Sequence, residues 1–145
     1  MPDMNNTFPT EENLSGLNRK DFQKDIDDKQ TDLFILRNKK GMEVAVTNYG
    51  CAILSIMVPD KNGKYANVIL GHDSIDHVIN SPEPFLSTTI GRYGNRIAKG
   101  KFTLYAEEHS LTINNGPNSL HGGPTGFHAR VWDAIQLDES TVQFN

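Results

Sequence analysis

The sequence predicts an all-β protein, an antiparallel sandwich or barrel, on three observations. From Asp32 onward, short segments of alternating apolar and polar residues recur about every eight to twelve residues. Turn-forming clusters such as Asn38-Lys39-Lys40-Gly41 and Asp60-Lys61-Asn62-Gly63 separate them. Only one stretch, Asp73–Asn80, has a helical period instead of a two-residue one.

In order, Met1–Gln30 reads as a polar N-terminal extension and residues 31–145 as the domain proper. The extension carries −3 of the net charge of −4, from seven acids and four bases, which leaves −1 for the rest. Its apolar residues are sparse. Phe22 and Ile26, four apart, predict a short amphipathic turn with Asn18 as N-cap and Asp21 three residues on, and the remainder reads as a tail. Asn5-Asn6-Thr7 and Asn13-Leu14-Ser15 match a glycosylation pattern that is common by chance. Leu33–Leu36 and Glu43–Val46 form the first expected hairpin, and Ala52–Val58 with Tyr65–Leu70 the second. Ser74 caps the helical turn, with Ile75, Val78 and Ile79 on one side, and Ser81-Pro82-Glu83-Pro84 ends it. A third hairpin is expected from Lys101–Tyr105 and His109–Ile113 across Ala106-Glu107-Glu108. Val131, Ile135 and Leu137 alternate, and Asp138-Glu139-Ser140 turns the chain into Thr141–Phe144. That last strand stops without a closing partner, so the sequence is expected to be an incomplete part of a larger sandwich.

Composition removes several classes of function. A length of 145 residues suits one domain. The body has no basic patch with interleaved aromatics, which argues against a nucleic-acid partner. No apolar run reaches membrane-spanning length, and the N-terminus lacks the basic start and apolar middle of a signal peptide. The expectation is therefore a soluble, cytoplasmic protein with no membrane partner, although an exported chain relieved of its signal would read the same. Cys51 is the single cysteine, so neither an internal disulfide nor a zinc cluster is available; in Gly50-Cys51-Ala52-Ile53-Leu54 it reads as a buried small hydrophobe.

Chemistry concentrates between Ile90 and Trp132, which hold seven of the twelve glycines. Turn formation explains those glycines and the neighbouring asparagines. It does not call for Arg92 and Arg96 inside a tight Gly-rich segment, nor for His121 directly before Gly122-Gly123. Gly91-Arg92-Tyr93-Gly94-Asn95-Arg96-Ile97-Ala98-Lys99-Gly100, Asn118-Ser119-Leu120-His121-Gly122-Gly123 and Gly126-Phe127-His128-Ala129-Arg130-Val131-Trp132 closely resemble motifs of the aldose 1-epimerase (galactose mutarotase) family. Thr47-Asn48-Tyr49-Gly50 and Val68-Ile69-Leu70-Gly71 fit the same pattern, and the resemblance covers roughly Asp32 to Asn145.

The resemblance implies an antiparallel β-sandwich of the galactose mutarotase type, of which this chain would be an N-terminal part. It implies an enzyme that interconverts the α and β anomers of aldohexoses such as glucose and galactose by acid/base chemistry, with no cofactor and no metal. It further implies that Asn95, Arg96 and His121 bind the sugar, a task suited to planar, forked donors and an imidazole. Arg92 and Phe127 are secondary candidates: Arg92 contacts substrate or serves an internal salt bridge, and Phe127 stacks on sugar or packs in the core. Trp132 reads as core. The family's catalytic acid, a second histidine, and its base, a glutamate, fall in segments beyond Asn145, so no catalytic residue is expected within this chain, and the chain alone is expected to lack efficient activity. His72, His77, His109 and His128 read as solvated. Oligomeric state is open.

Rival readings are weaker. A non-catalytic carbohydrate-binding module could use the same three residues, and a downstream sequence lacking the second histidine and the glutamate would identify it. A lipase-like role for His121-Gly122-Gly123 lacks a Gly-x-Ser-x-Gly nucleophile turn, and a phosphate loop at Gly91 lacks the Gly-Lys-Ser/Thr ending.

Overall fold

The computed structural model describes residues 12–145 and shows first how the N-terminal segment is held. Asn18 caps a short 3-10 turn, Arg19–Phe22, its side chain accepting from the Lys20 N–H at 3.0 Å, as the sequence anticipates. Strands β1 (Asp25–Ile26) and β2 (Lys29–Gln30) then pair antiparallel around Asp27 and Asp28, both left-handed at φ 50° and 61°. This segment is not the tail that its polarity suggests. Phe22 is 0% exposed, and Thr31 donates its hydroxyl to the Phe22 carbonyl at 2.7 Å. The polar anchor is Glu43, also 0% exposed, whose Oε1 accepts from the backbone N–H groups of Leu14 (2.8 Å) and Ser15 (3.2 Å). Its Oε2 accepts from Arg37 Nε at 2.9 Å, and the Arg37 guanidinium donates onward to the Glu12 carbonyl. Sequence periodicity finds the turn but not this anchor, because Glu43 lies far along the chain. Of the two glycosylation patterns, Asn5-Asn6-Thr7 lies outside the described residues; Asn13 is engaged in its own loop, its Oδ1 accepting from Leu17 N–H at 3.1 Å.

The central sheet is a four-stranded meander of β3 (Leu33–Arg37), β4 (Glu43–Thr47), β5 (Ile53–Pro59) and β6 (Tyr65–Asn67) in that spatial order. Its turns are the ones the sequence marks. Asn38 Oδ1 accepts from Lys40 and Met42, and Asp60 Oδ1 accepts from Asn62 (2.7 Å) and Lys64 (2.9 Å), with Gly63 left-handed at φ 81°. Strand β6 ends three residues earlier than the Leu70 expected. Asn67 Oδ1 takes the Ile56 N–H at 3.0 Å, putting a side chain where a ladder carbonyl would sit, and Leu70 is left 75% exposed.

Helix α1 (Ile75–Ile79) follows, capped by Ser74, with Ile75 and Val78 buried as expected. These two meet Phe22 and the inward residues Leu33, Ile35, Ala45 and Leu54 in one core cluster. Each such fully buried large side chain contributes roughly 1.5–3 kcal/mol.

The second half is a run of short ribbons: β7 (Arg96–Ile97), β8 (Lys101–Leu104), β9 (Glu107–Ser110), β10 (Ser119–Leu120), β11 (Ala134–Asp138) and β12 (Thr141–Phe144). β8 pairs with β9, β7 with β10, and β11 with β12; every described pairing in the molecule is antiparallel and helix is scarce, in keeping with the all-β class. The β8–β9 turn falls at Tyr105-Ala106, not at Ala106-Glu107-Glu108. Both residues are left-handed (φ 52° and 63°), the backbone of a two-residue hairpin loop, and nothing in their side chains announces it. The β11–β12 hairpin covers the face of β3 opposite the core: Phe144 meets Phe34 edge-on at 6.1 Å, and Arg37 N–H donates to the Glu139 carbonyl at 2.7 Å. No helix among the described residues is long and apolar enough to cross a membrane.

Candidate functional site

Pairing of β7 with β10, in the register Arg96↔Leu120 and Ile97↔Ser119, sets Asn95 and His121 opposite each other at the ends of the two strands. They bond reciprocally. Asn95 N–H donates to His121 Nδ1 at 2.9 Å, and His121 N–H donates to the Asn95 carbonyl at 3.1 Å. A ring nitrogen that accepts cannot carry the proton, so a neutral His121 holds it on Nε2 and presents a donor there. Asn114 fixes the strand just before this histidine from both sides, accepting from Leu120 N–H at 2.7 Å and donating to its carbonyl at 3.0 Å. After it, His121, Gly122 and Gly123 are successively left-handed (φ 55°, 89° and 79°). A Cβ on Gly122 would run into the Gly91 carbonyl, so the loop accepts only glycine there.

Arg96 is held by two carboxamides: its Nε donates to Asn115 Oδ1 at 2.9 Å and its Nη1 to Asn95 Oδ1 at 3.3 Å. Two of five N–H donors are thereby used, and the exposed remainder of the fork is pre-oriented. The structure thus links the three main candidates, Asn95, Arg96 and His121, through direct hydrogen bonds. Arg96 also lines an open groove of 1510 Å³, with Arg92, Gly122, Phe127, Trp132 and, from the β1–β2 turn, Asp27. Asn95 and His121 stand beside that groove and are not on its wall.

Arg92 makes no ion pair among the described residues; its guanidinium lies 5.4 Å above the Phe127 ring. Phe127 in turn meets Trp132 edge-on at 5.0 Å, and the Trp132 indole N–H donates to the Phe127 carbonyl at 3.1 Å. Trp132 is half-buried on the groove wall, more open than the core position expected of it. Cys51 is half-buried, more open than the buried position expected of it; partial burial pushes its thiol up to about 11, against a smaller opposing effect from a hydrogen bond with Thr89, so the thiol is neutral near pH 7.

The histidines expected in solvent divide. His77 is exposed, its Nδ1 2.5 Å from Asp73 Oδ1, a contact that lowers the Asp73 carboxyl below its usual range. His109 stacks on Phe102 at 5.0 Å. His128 is 5% exposed, which corrects its solvated reading: it packs against Phe85 at 4.5 Å, and burial, with a smaller effect from nearby His121, lowers its pKa. Phe85 also touches His121, at 4.8 Å, and sequence reasoning missed it. Its place in a Pro-rich loop gives no sign of a contact so distant in sequence.

Residues 32–145 match the family model described as aldose 1-epimerase. Among curated proteins, the chain is 43% identical over 104 residues to the galactose mutarotase of Bos taurus and 37% identical over 112 residues to the aldose 1-epimerase of Escherichia coli K12. Those alignments cover 72% and 77% of this chain but only 30% and 32% of the relatives. The chain therefore spans about a third of their length. Among solved structures, a GalM/aldose epimerase homologue from C. elegans superposes with a TM-score of 0.74 at 32% identity, covering 79% of this chain and 35% of that one.

Proposed function

The chain belongs to the aldose 1-epimerase family, and from that premise we propose that it forms the sugar-gripping portion of an enzyme that interconverts the α and β anomers of aldohexoses such as glucose and galactose. In this reading residues 31–145 are the N-terminal part of a galactose mutarotase-like sandwich, preceded by Met1–Gln30, and the protein works in the cytoplasm. Mutarotation requires one group to take the proton of the C1 hydroxyl and another to protonate the ring oxygen. The ring then opens, the aldehyde turns about C1–C2, and closure from the opposite face gives the other anomer. Positioned acid and base groups achieve this near neutral pH.

The observation that carries the proposal is the reciprocal Asn95–His121 pair with Arg96 fixed beside it. It supports a role in holding the sugar: His121 Nε2–H toward the reacting end, the Arg96 fork and the Asn95 carboxamide on hydroxyls, and Arg92 over Phe127 as a flanking contact. Holding also keeps the opened sugar from leaving before it recloses. The acid and base are assigned to the two-thirds of the relatives that this chain does not cover. Polarimetry of freshly dissolved α-D-galactose tests the assignment. The 145-residue chain is expected to relax the rotation at the buffer rate, and a fusion to the remaining portion of a relative well above it. Acceleration by the short chain alone would contradict the missing acid and base. A fusion that binds sugar without acceleration would reduce the protein to a carbohydrate-binding module.

A further inference from the structure

One hydrogen bond, from the Asn95 N–H to Nδ1, sets the tautomer of the His121 ring, and the tautomer lasts only while the ring stays seated on that donor. The ring also meets Phe85, at 4.8 Å between centroids and 63° between planes. Phe85 is met in turn by the His128 ring, at 4.5 Å and 59°. His128 has little room to retreat. A Cβ on Gly50 would collide with its carbonyl, and one on Gly126 would come within 3.2 Å of its Nδ1. That Nδ1 is buried with no hydrogen-bond partner among the described residues, which is unfavourable for a polar atom. At a position serving packing alone an apolar ring would avoid that cost, so an imidazole against the same Phe85 ring that meets His121 points to a role.

We propose that Phe85 and His128 are positioning residues for His121: His128 packs on the Phe85 ring, and Phe85 keeps the imidazole seated on the Asn95 N–H, so that the Nε2–H tautomer set by that bond is held and its donor presented to the sugar. The sugar-facing part rests on the reading of His121 given above; the positioning part rests on the ring contacts. An edge-to-face contact such as Phe85–His121 is geometrically selective, so it restricts ring rotation as well as filling space. Neither residue touches the sugar in this arrangement.

Long-range ¹H–¹⁵N correlation spectra of the ¹⁵N-histidine-labelled chain read the tautomer of each ring directly. Wild type is expected to show His121 as a single Nε2–H form. Phe85→Leu, which keeps apolar bulk without a ring, and His128→Ala are expected to give an averaged pattern at His121, while Phe85→Tyr restores the single form. In a galactose titration followed by the same signals, Phe85→Leu is expected to weaken binding about tenfold and Phe85→Tyr less than twofold. An unchanged Nε2–H signature in Phe85→Leu, with far-UV circular dichroism showing the variant folded, overturns the proposal. If wild type takes no galactose while Phe85→Leu still loosens the tautomer, the sugar reading falls and the positioning pair stands.

Discussion

Glu43 shows how much one side chain decides in this protein. A carboxylate with no solvent exposure is tolerated only when its oxygens are satisfied, and here the Leu14 and Ser15 amides and Arg37 do that. Glu43→Gln keeps the shape but turns an N–H₂ toward either the Arg37 donor or the two amides. The expected loss is about 3 kcal/mol, within the range for breaking a buried charged interaction, read as a lower urea midpoint. Leu14 and Ser15 amide exchange should accelerate in the same variant. A change under about 1 kcal/mol would show the anchor to be incidental. His128 gives a pH-dependent counterpart. Its folded pKa lies below the ordinary 6.5, so the unfolded chain binds more protons as pH falls through that value, and stability falls with it. Facing it are Phe85, the backbone around Gly50 and Gly126, and His121 as the titratable neighbour. Urea titrations at pH 7.5 and pH 5.5 should therefore show wild type losing stability relative to His128→Phe, with a slope of at most about 1.4 kcal/mol per pH unit. Equal losses in both proteins would assign the acid sensitivity elsewhere.

At the level of elements, the difference between what sequence reveals and what it hides is one of turn chemistry and range. Asn38, Asp60, Ser74 and Asp138 each satisfy nearby backbone N–H groups through a side-chain oxygen, and the turns and cap they form are legible in the sequence. Asp27-Asp28 and Tyr105-Ala106 adopt the same left-handed pair of conformations without the glycine that advertises it, so the sequence does not signal the first hairpin and misplaces the turn of the second. The β8–β9 loop consequently stores avoidable cost. Tyr105→Asn with Ala106→Gly should stabilise the chain by about 1 kcal/mol, since left-handed backbone costs an ordinary residue roughly 1–2 kcal/mol and glycine little. A thermal melt that falls instead of rising would mean the 95% exposed Tyr105 side chain contributes something the local backbone does not show. The site divides in the same way. Asn95, Arg96 and His121 sit in compact motifs that the sequence displays, whereas Phe85 and His128 reach His121 only through folding. Glu43 escaped for the same reason, being read as an ordinary strand residue.

For the whole molecule the question is whether the site and the core answer to each other. Asn48 suggests how: it accepts from Asp32 N–H at 2.8 Å and donates at 3.0 Å to the carbonyls of both Gln30 and Trp132. One 5% exposed side chain thus joins the N-terminal segment, the meander and the groove wall, and Tyr49 bridges to Val131 beside it. Phe22 belongs to the core cluster, against which Tyr49 also packs. Phe22→Ala should remove about 3–5 kcal/mol, a large share of the 5–15 kcal/mol typical of a folded domain. Trp132 is the chain's single tryptophan, so its fluorescence reports the groove while far-UV circular dichroism reports the sheets. If the joints couple the two regions, urea unfolding followed by both probes gives coincident midpoints in wild type, and both midpoints move together in Phe22→Ala. A fluorescence midpoint that stays put while the circular dichroism midpoint drops would mean that the groove wall folds without the core, and that Asn48 carries no coupling between them.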